Sequence, residues 1–229
     1  MTEQKNNSAI IIFSGGQDST TCLAWSKKKF DHVTALTFDY GQKHRIELRS
    51  AKKIAKITKT PLIIHKIKLF EQFKNNALIN HRQKIMQPDK QKLPNTFVPG
   101  RNHFFISIAA LYAYDLKIKN IVTGVCQTDY SGYPDCREDF VKSLEKTINL
   151  AFGKQPNSKQ ALQIHTPLMH LTKAQSIKLM QKLDQLDLLK YSHTCYQGIS
   201  PACSKCPSCL LRLKGFEQAK IKDPIEYIP

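Results

Sequence analysis

The stretch Ser14-Gly15-Gly16-Gln17-Asp18-Ser19-Thr20-Thr21 lies directly behind the apolar run Ala9 to Phe13 and directly ahead of Cys22-Leu23-Ala24-Trp25. That order predicts a buried strand, a polar glycine turn and a helix, and it commits the chain to a sheet-to-helix crossing near its start. Such a crossing is an anion seat. The first turn of a helix has backbone N–H groups that the helix cannot pair and carries the positive end of its dipole, while glycines keep side chains out of an oxyanion's way. A phosphate or pyrophosphate is the expected guest. The string lacks the lysine of G-x-x-x-x-G-K-[ST] and does not follow G-x-G-x-x-G, so it is neither the common phosphate loop nor the dinucleotide fingerprint. Ser14, Ser19 and Thr20 offer hydroxyls to phosphate oxygens. Asp18 repels phosphate, so its expected use is to share a Mg²⁺ with it.

Downstream, apolar runs of strand length alternate with helical patterns, which predicts an α/β fold: a Rossmann-like parallel sheet with helices on both faces. Strands are expected near 9–13, 32–38, 61–67 and 119–125, with a short extended piece near 161–166. Lys43 to Thr58 and Asn102 to Asp115 carry apolar residues at helical spacing. Asp135-Cys-Arg-Glu138 and Thr172-Lys-Ala-Gln175 read as capping boxes that start two further helices. Residues 68–99 have weak periodicity and prolines at 88, 94 and 99, so an excursion outside the core is expected there, either a lid over the nucleotide or an irregular surface insertion.

In an open parallel sheet, ligands sit beyond the carboxyl ends of the strands. Four polar segments fall there: the glycine loop, Asp39 to Arg45, Phe97 to Asn102, and Asp129 to Arg137. Arg101, Arg45, Lys43 and Arg137 are candidates to neutralise charge as a nucleotide is cleaved, with Arg101 favoured because it follows a tight Pro-Gly and opens a helix. His44 and His103 are weaker acid–base candidates.

Cysteine usage points to a metal. Of seven cysteines, Cys195, Cys203, Cys206 and Cys209 form C-x7-C-x2-C-x2-C, a set of four thiolates for one tetrahedral site. Soft ligands and closed four-coordination favour structural Zn²⁺, with an iron–sulfur cluster as the competing assignment. Leu210, Leu211, Leu213 and Phe216 then continue as a helix expected to dock this lobe on the main sheet. The organisation is therefore a nucleotide-binding α/β domain over 1–190 and a zinc-binding C-terminal lobe over 191–229. Cys126, after the fourth strand, faces the cleft either as a small buried hydrophobe or as a sulfur-transferring nucleophile.

A formal charge of +17 admits a nucleic-acid partner, but the lysines are scattered and arginine is scarce, so a solvated surface that attracts anionic nucleotides is the simpler account. Only five apolar residues follow the polar N-terminus before the glycine turn, too few for a secretory signal, and reduced thiols suit the cytoplasm.

Together, S-G-G-Q-D-S-T-T, F-D-Y-G-Q-K-H-R, F-V-P-G-R-N, T-G-V-C-Q-T-D-Y-S-G-Y-P-D-C-R and the four-cysteine cluster resemble the 7-cyano-7-deazaguanine synthase family, within the ATP pyrophosphatase superfamily. The similarity runs from about Ala9 to Phe216. It implies an adenine nucleotide alpha hydrolase-like fold and the ATP-dependent conversion of 7-carboxy-7-deazaguanine and ammonia to the nitrile in queuosine biosynthesis. It also implies a homodimer with one zinc per chain. The residues expected to hold ATP are then Phe13, Ser14, Gly15, Gly16, Gln17, Asp18, Ser19, Thr20, Thr21, Cys22 and Leu23, with Asp18 and Arg101 as the catalytic pair. A deazaguanine has N–H donors for Asp129 or Asp135 and for the Ser131 loop, and a ring face for Tyr130 or Tyr133. Two rivals stand beside this. A tRNA thiolase of the same superfamily predicts salt-sensitive tRNA binding and dependence on Cys126, and a zinc-knuckle binding protein predicts ATP binding without turnover.

Overall fold

The computed structural model of the chain describes residues 7–42, 45–72, 76–80, 82–86, 93–128, 132–156 and 158–228. Five strands, β1 (Ser8–Ile12), β2 (His32–Asp39), β3 (Leu62–Lys66), β4 (Asn120–Val122) and β5 (Gln163–His165), form one sheet in the order β3-β2-β1-β4-β5. Every neighbouring pair is parallel. The chain winds outward from β1 to β3 and then crosses back to β4, so the reversal of direction lies between the carboxyl ends of β1 and β4.

Side-chain alternation along the strands feeds two cores. Ile10, Leu36 and Ile121 pack against Ile106 and Ala109 of α3 (Arg101–Asp115) and Leu144 and Ile148 of α4 (Glu138–Ala151). Ala9, Ile11, Ala35 and Val122 pack on the other face against Leu23 of α1 (Gln17–Lys29) and Ala51 and Ile54 of α2 (Ile46–Ile57). Helices on both faces, as expected, are the only way a parallel sheet of this kind hides its strands. Beyond α1 lies a further layer, in which Ala24 meets Ile177 and Met180 of α5 (Lys173–Lys182) and Phe216 and Ala219 of α6 (Pro207–Ala219). The cysteine lobe thus docks through α6 onto helices rather than onto the sheet, and Leu188 and Leu189 share that cluster across residue 190.

Local signals fared unevenly. Thr172 and Gln175 make the expected capping box at the start of α5, each side chain meeting the other's backbone N–H. The box expected at Asp135 is absent: α4 is preceded by Arg137, which makes no side-chain cap, and Asp135 lies in a 3-10 turn, Pro134–Cys136. Its carboxylate accepts instead from the backbone N–H of Asn102 at 3.1 Å and so caps the first turn of α3. Nor do the described parts of 68–99 all lie outside the core. Leu78, Ile79 and Val98 are core residues, and Asn76 ties the two limbs by donating to the Phe97 carbonyl while accepting from the Leu78 N–H. Apolar pieces of two or three residues are too short for periodicity to reveal.

At the carboxyl end of α1 a polar-aromatic cluster locks β5. His165 Nε2 meets Asn120 Oδ1 at 2.9 Å, and its ring packs 5.5 Å from Phe30 and 6.0 Å from Trp25. Burial, helped by the Lys29 ammonium, lowers the His165 pKa from 6.5 to about 4. Between those values the unfolded chain takes up a proton that the folded imidazole refuses, so stability is full above pH 6.5 and declines as the pH falls toward 4. Thermal unfolding across that window should show a steeper acid loss in the native protein than in His165→Gln.

Candidate functional site

The glycine turn is built by packing as much as by torsion. Gly15 has φ +85°, and a Cβ there would lie 2.5 Å from the Ala51 nitrogen and 2.7 Å from the Glu47 carbonyl oxygen, so α2 closes directly on it. Gly16 is extended and precedes α1. Ser19 Oγ accepts from the Gly15 N–H and donates to the Gly16 carbonyl, and Ser14 Oγ accepts from the Gly16 N–H. The loop therefore fixes itself with its own hydroxyls and leaves the N–H groups of Gln17, Asp18 and Ser19 in the first helical turn, where the helix has no carbonyl to pair them.

Of the residues expected to hold a nucleotide, Phe13, Ser14, Gly16, Gln17, Asp18 and Ser19 line a cavity of about 550 Å³. Gln17 is 2 % exposed, and its side-chain nitrogen is buried without a hydrogen-bond partner among the described residues. Gly15, Thr20, Thr21, Cys22 and Leu23 lie behind this surface. Thr20 and Thr21 donate to the Gly16 and Gln17 carbonyls, and Cys22 and Leu23 are wholly buried.

A residue that local sequence reasoning missed completes the seat. Lys173, first in α5, donates to both carboxylate oxygens of Asp18 at 2.8 and 2.7 Å. The pair is mostly buried, with side chains 10 % and 32 % exposed. Lys173 reaches Asp18 across Gly215 of α6, where a Cβ would lie 2.5 Å from its Cγ. The cationic partner that phosphate chemistry demands beside Asp18 is thus an ammonium supplied by the chain.

From the seat the cavity opens into an aromatic pocket. Tyr40, Phe105, Arg101, Tyr133 and Tyr196 line it, with Leu78, Met86, Pro94 and Thr96 from the segment 68–99. Phe38 and Phe105 stack at 4.2 Å, and the Tyr133 ring lies 5.5 Å from that of Phe97 while its hydroxyl meets Thr96 Oγ1 at 2.7 Å. The Arg101 guanidinium lies 5.9 Å from the centre of the Tyr133 ring and 3.5 Å from the Tyr40 hydroxyl. Asp135 does not line the cavity; it supports α3 from below. Asp129, Tyr130 and Ser131, like Lys43 and His44, lie outside the described residues. Arg45 is exposed and paired with Asp39, and His103 is exposed.

Cys126 and Cys136 also reach the cavity. Cys126 Sγ donates to the Leu171 carbonyl at 3.2 Å, and Cys136, bonded by Asn102, has its pKa pushed up to about 12, chiefly by burial. The Cys136 thiol is therefore neutral.

Cys195, Cys203, Cys206 and Cys209 come together as expected, with sulfurs all within 4.8 Å of one another. The Cys203–Cys209 separation of 3.9 Å is close to the roughly 3.8 Å edge that four Zn–S bonds of about 2.3 Å would give. The N–H groups of Cys203 and Cys206 point at the sulfurs of Cys195 and Cys203, at 3.5 and 3.3 Å, which suits thiolates. The cluster is one that can hold a metal. Behind it Arg212, 1 % exposed, pairs with Asp223, which also accepts from the Tyr227 hydroxyl, so the C-terminal tail is clamped to α6.

Residues 8–220 match the model of the family described as queuosine biosynthesis protein QueC. Over 229 residues the chain is 44% identical to the 7-cyano-7-deazaguanine synthase of Chromobacterium violaceum, covering 98% of this chain and 95% of that one. The enzyme of the same name from Laribacter hongkongensis is 46% identical over 222 residues, 95% of this chain and 93% of its own. That of Bacillus subtilis is 47% identical over 216 residues, 93% and 95%. With motifs, topology and cysteine cluster in agreement along nearly its whole length, the chain belongs to the QueC family of 7-cyano-7-deazaguanine synthases, enzymes of queuosine biosynthesis.

Proposed function

We propose that this chain converts 7-carboxy-7-deazaguanine and ammonia to 7-cyano-7-deazaguanine at the expense of ATP, through the amide. The observation that carries the proposal is the continuity of one cavity from the phosphate seat at α1 to the aromatic pocket of Arg101 and Tyr133. A carboxylate is a poor electrophile, so its oxygen first attacks a phosphorus of ATP, giving an acyl adenylate with loss of pyrophosphate or an acyl phosphate with loss of ADP. Ammonia displaces the phosphorylated oxygen and gives the amide. The amide oxygen then attacks a phosphorus of a second ATP and leaves as the phosphoryl ester, with loss of the two N–H protons, to give the nitrile. One seat serves both activations. The first-turn N–H groups of α1 and the hydroxyls of Ser14 and Ser19 receive the phosphates, and Lys173 faces the charge that builds on the leaving oxygens. Mg²⁺ arrives with the nucleotide's own phosphates.

Zn²⁺ is the metal proposed for the four cysteines, one per chain, and its role is structural because no ligand position is left open. Residues 191–229 form the zinc lobe on the nucleotide-binding part, 1–190, and α6 carries that lobe to Lys173 through Gly215. A homodimer is proposed through the apolar stripe of α3, where Phe104, Leu111 and Tyr114 are 40, 60 and 61 % exposed at helical spacing. The enzyme works in the cytoplasm and needs no nucleic acid. Among the described residues no helix is long and apolar enough to cross a membrane.

The purified protein with the carboxylic acid, ammonium, Mg²⁺ and ATP should yield amide and nitrile by mass spectrometry, and failure to form either overturns the proposal. In the same assay Lys173→Ala should lower kcat/KM by roughly 100-fold or more. Gly215→Ala, whose methyl collides with the Lys173 stem, should reproduce much of that loss. Because Cys126 Sγ is engaged by the Leu171 carbonyl, Cys126→Ala should stay within about threefold of the native rate, whereas a thiolase would lose all turnover. Prolonged treatment with a strong chelator should release one zinc per chain, seen by elemental analysis, and lower the melting temperature.

A further inference from the structure

Arg101 carries the one full charge in the aromatic half of the cavity for which the described residues supply no counter-ion. Arg101 has no carboxylate within 4.0 Å among them; its contacts are the Tyr40 hydroxyl at 3.5 Å and the Tyr133 ring at 5.9 Å. The titratable side chains that act on it most are Tyr40, Tyr133, Cys136 and Tyr196, none of them a carboxylate. The cavity's own carboxylates are placed elsewhere: Asp18 is taken by Lys173, and Glu47 stands beside Gly16 at the seat. Asp135, two residues from Tyr133, accepts from the Asn102 N–H through one oxygen and has the other buried without a hydrogen-bond partner among the described residues, but it forms no ion pair with Arg101. A guanidinium drawn partly out of water among tyrosines and phenylalanines is costly unless an anion meets it. Its position in the fold says which anion. Arg101 opens α3, which packs on the sheet face opposite α1, whereas the nucleotide's phosphates have their own seat and their own cation in Lys173. The surroundings of Arg101 are flat and aromatic, with Phe105 9 % and Tyr133 7 % exposed.

We infer that Arg101 anchors the carboxylate of an aromatic acid, the exocyclic carboxyl of the deazaguanine, by a forked pair of N–H bonds while the ring lies along Tyr133. This rests on the function proposed above and reassigns Arg101 from the nucleotide, where sequence reasoning put it, to the acid. The fork does two things. It fixes one carboxylate oxygen toward the seat for phosphorylation, and it selects for the charged acid at the first activation. The amide that enters the second activation is neutral and has no anion to offer, so it depends far less on Arg101.

The two half-reactions separate the possibilities. The native protein, Arg101→Gln and Arg101→Lys are compared with 7-carboxy-7-deazaguanine and, independently, with 7-amido-7-deazaguanine, each with saturating ATP and Mg²⁺, and ammonium for the acid. Arg101→Gln should lose about 100-fold in kcat/KM for the acid, mostly through KM, and less than about tenfold for the amide. Arg101→Lys, which keeps the charge but not the fork, should show a smaller loss of the same acid-selective kind. The KM for ATP should be unchanged in both. Equal losses on acid and amide, or a rise in the KM for ATP that accounts for the loss, overturn the inference and return Arg101 to the nucleotide. If Arg101→Gln does not fold by circular dichroism, the acid-to-amide ratio of the lysine variant decides alone. A native protein inert toward both compounds overturns the function itself, a result distinct from any pattern among the variants.

Discussion

Lys173 lying across Gly215 to grip Asp18 joins three helices that sequence separates widely. Asp18 belongs to the first turn of α1, Lys173 to the first turn of α5, and Gly215 to the middle of α6. The ion pair is partly sheltered, so its worth exceeds that of a surface pair, and removing either partner would leave a charge stranded beside a helix start. The cysteine cluster is coupled to the same contact. Cys206 precedes α6 and Cys209 lies within its first turn, so whatever fixes the four sulfurs also fixes where Gly215 meets Lys173. The cysteine lobe also meets the glycine loop directly: the His193 N–H donates to the Gly15 carbonyl, and Thr194, Tyr196 and Ser208 line the same cavity as Ser14 and Asp18.

The chain separates the two tasks of the proposed reaction. In that proposal activation falls to the α1 face, with its backbone N–H groups, two hydroxyls and an ammonium, and recognition to the α3 face, with its tyrosines, stacked phenylalanine pair and guanidinium. Both meet at the carboxyl ends of β1 and β4, where the winding direction of the sheet reverses and the loops diverge enough to leave a space.

Much of this was legible in the sequence. The apolar runs of β1, β3 and β4 and the inner half of β2 could be placed, whereas the half-exposed β5, Gln163–His165, showed only as a short extended piece; the glycine loop declared itself by sitting between one such run and a helix. The cysteine spacing sufficed for the cluster. What escaped depends on contacts between distant segments. Lys173 is one lysine among many and 155 residues from Asp18; the only local hint was its place just inside a capping box. Asp135 had the right spacing to start α4, but the Pro134 turn rotates it onto α3, where a backbone N–H was unmet. The core residues of 76–98 were hidden because asparagine side chains, rather than a regular element, hold them in place. Gly15 was expected for a ligand's sake, yet the structure also needs it for the approach of α2.

The hydroxyl contact between Thr96 and Tyr133 is the seam between two loops that wall the aromatic pocket. Neither loop belongs to the sheet, and neither carries a phosphate ligand. Changes along that seam can therefore reshape the space offered to a heterocycle while leaving the machinery that energises it intact. Selectivity in this architecture is free to drift at a rate of its own, which is how one activating chassis could come to serve relatives with different ring systems.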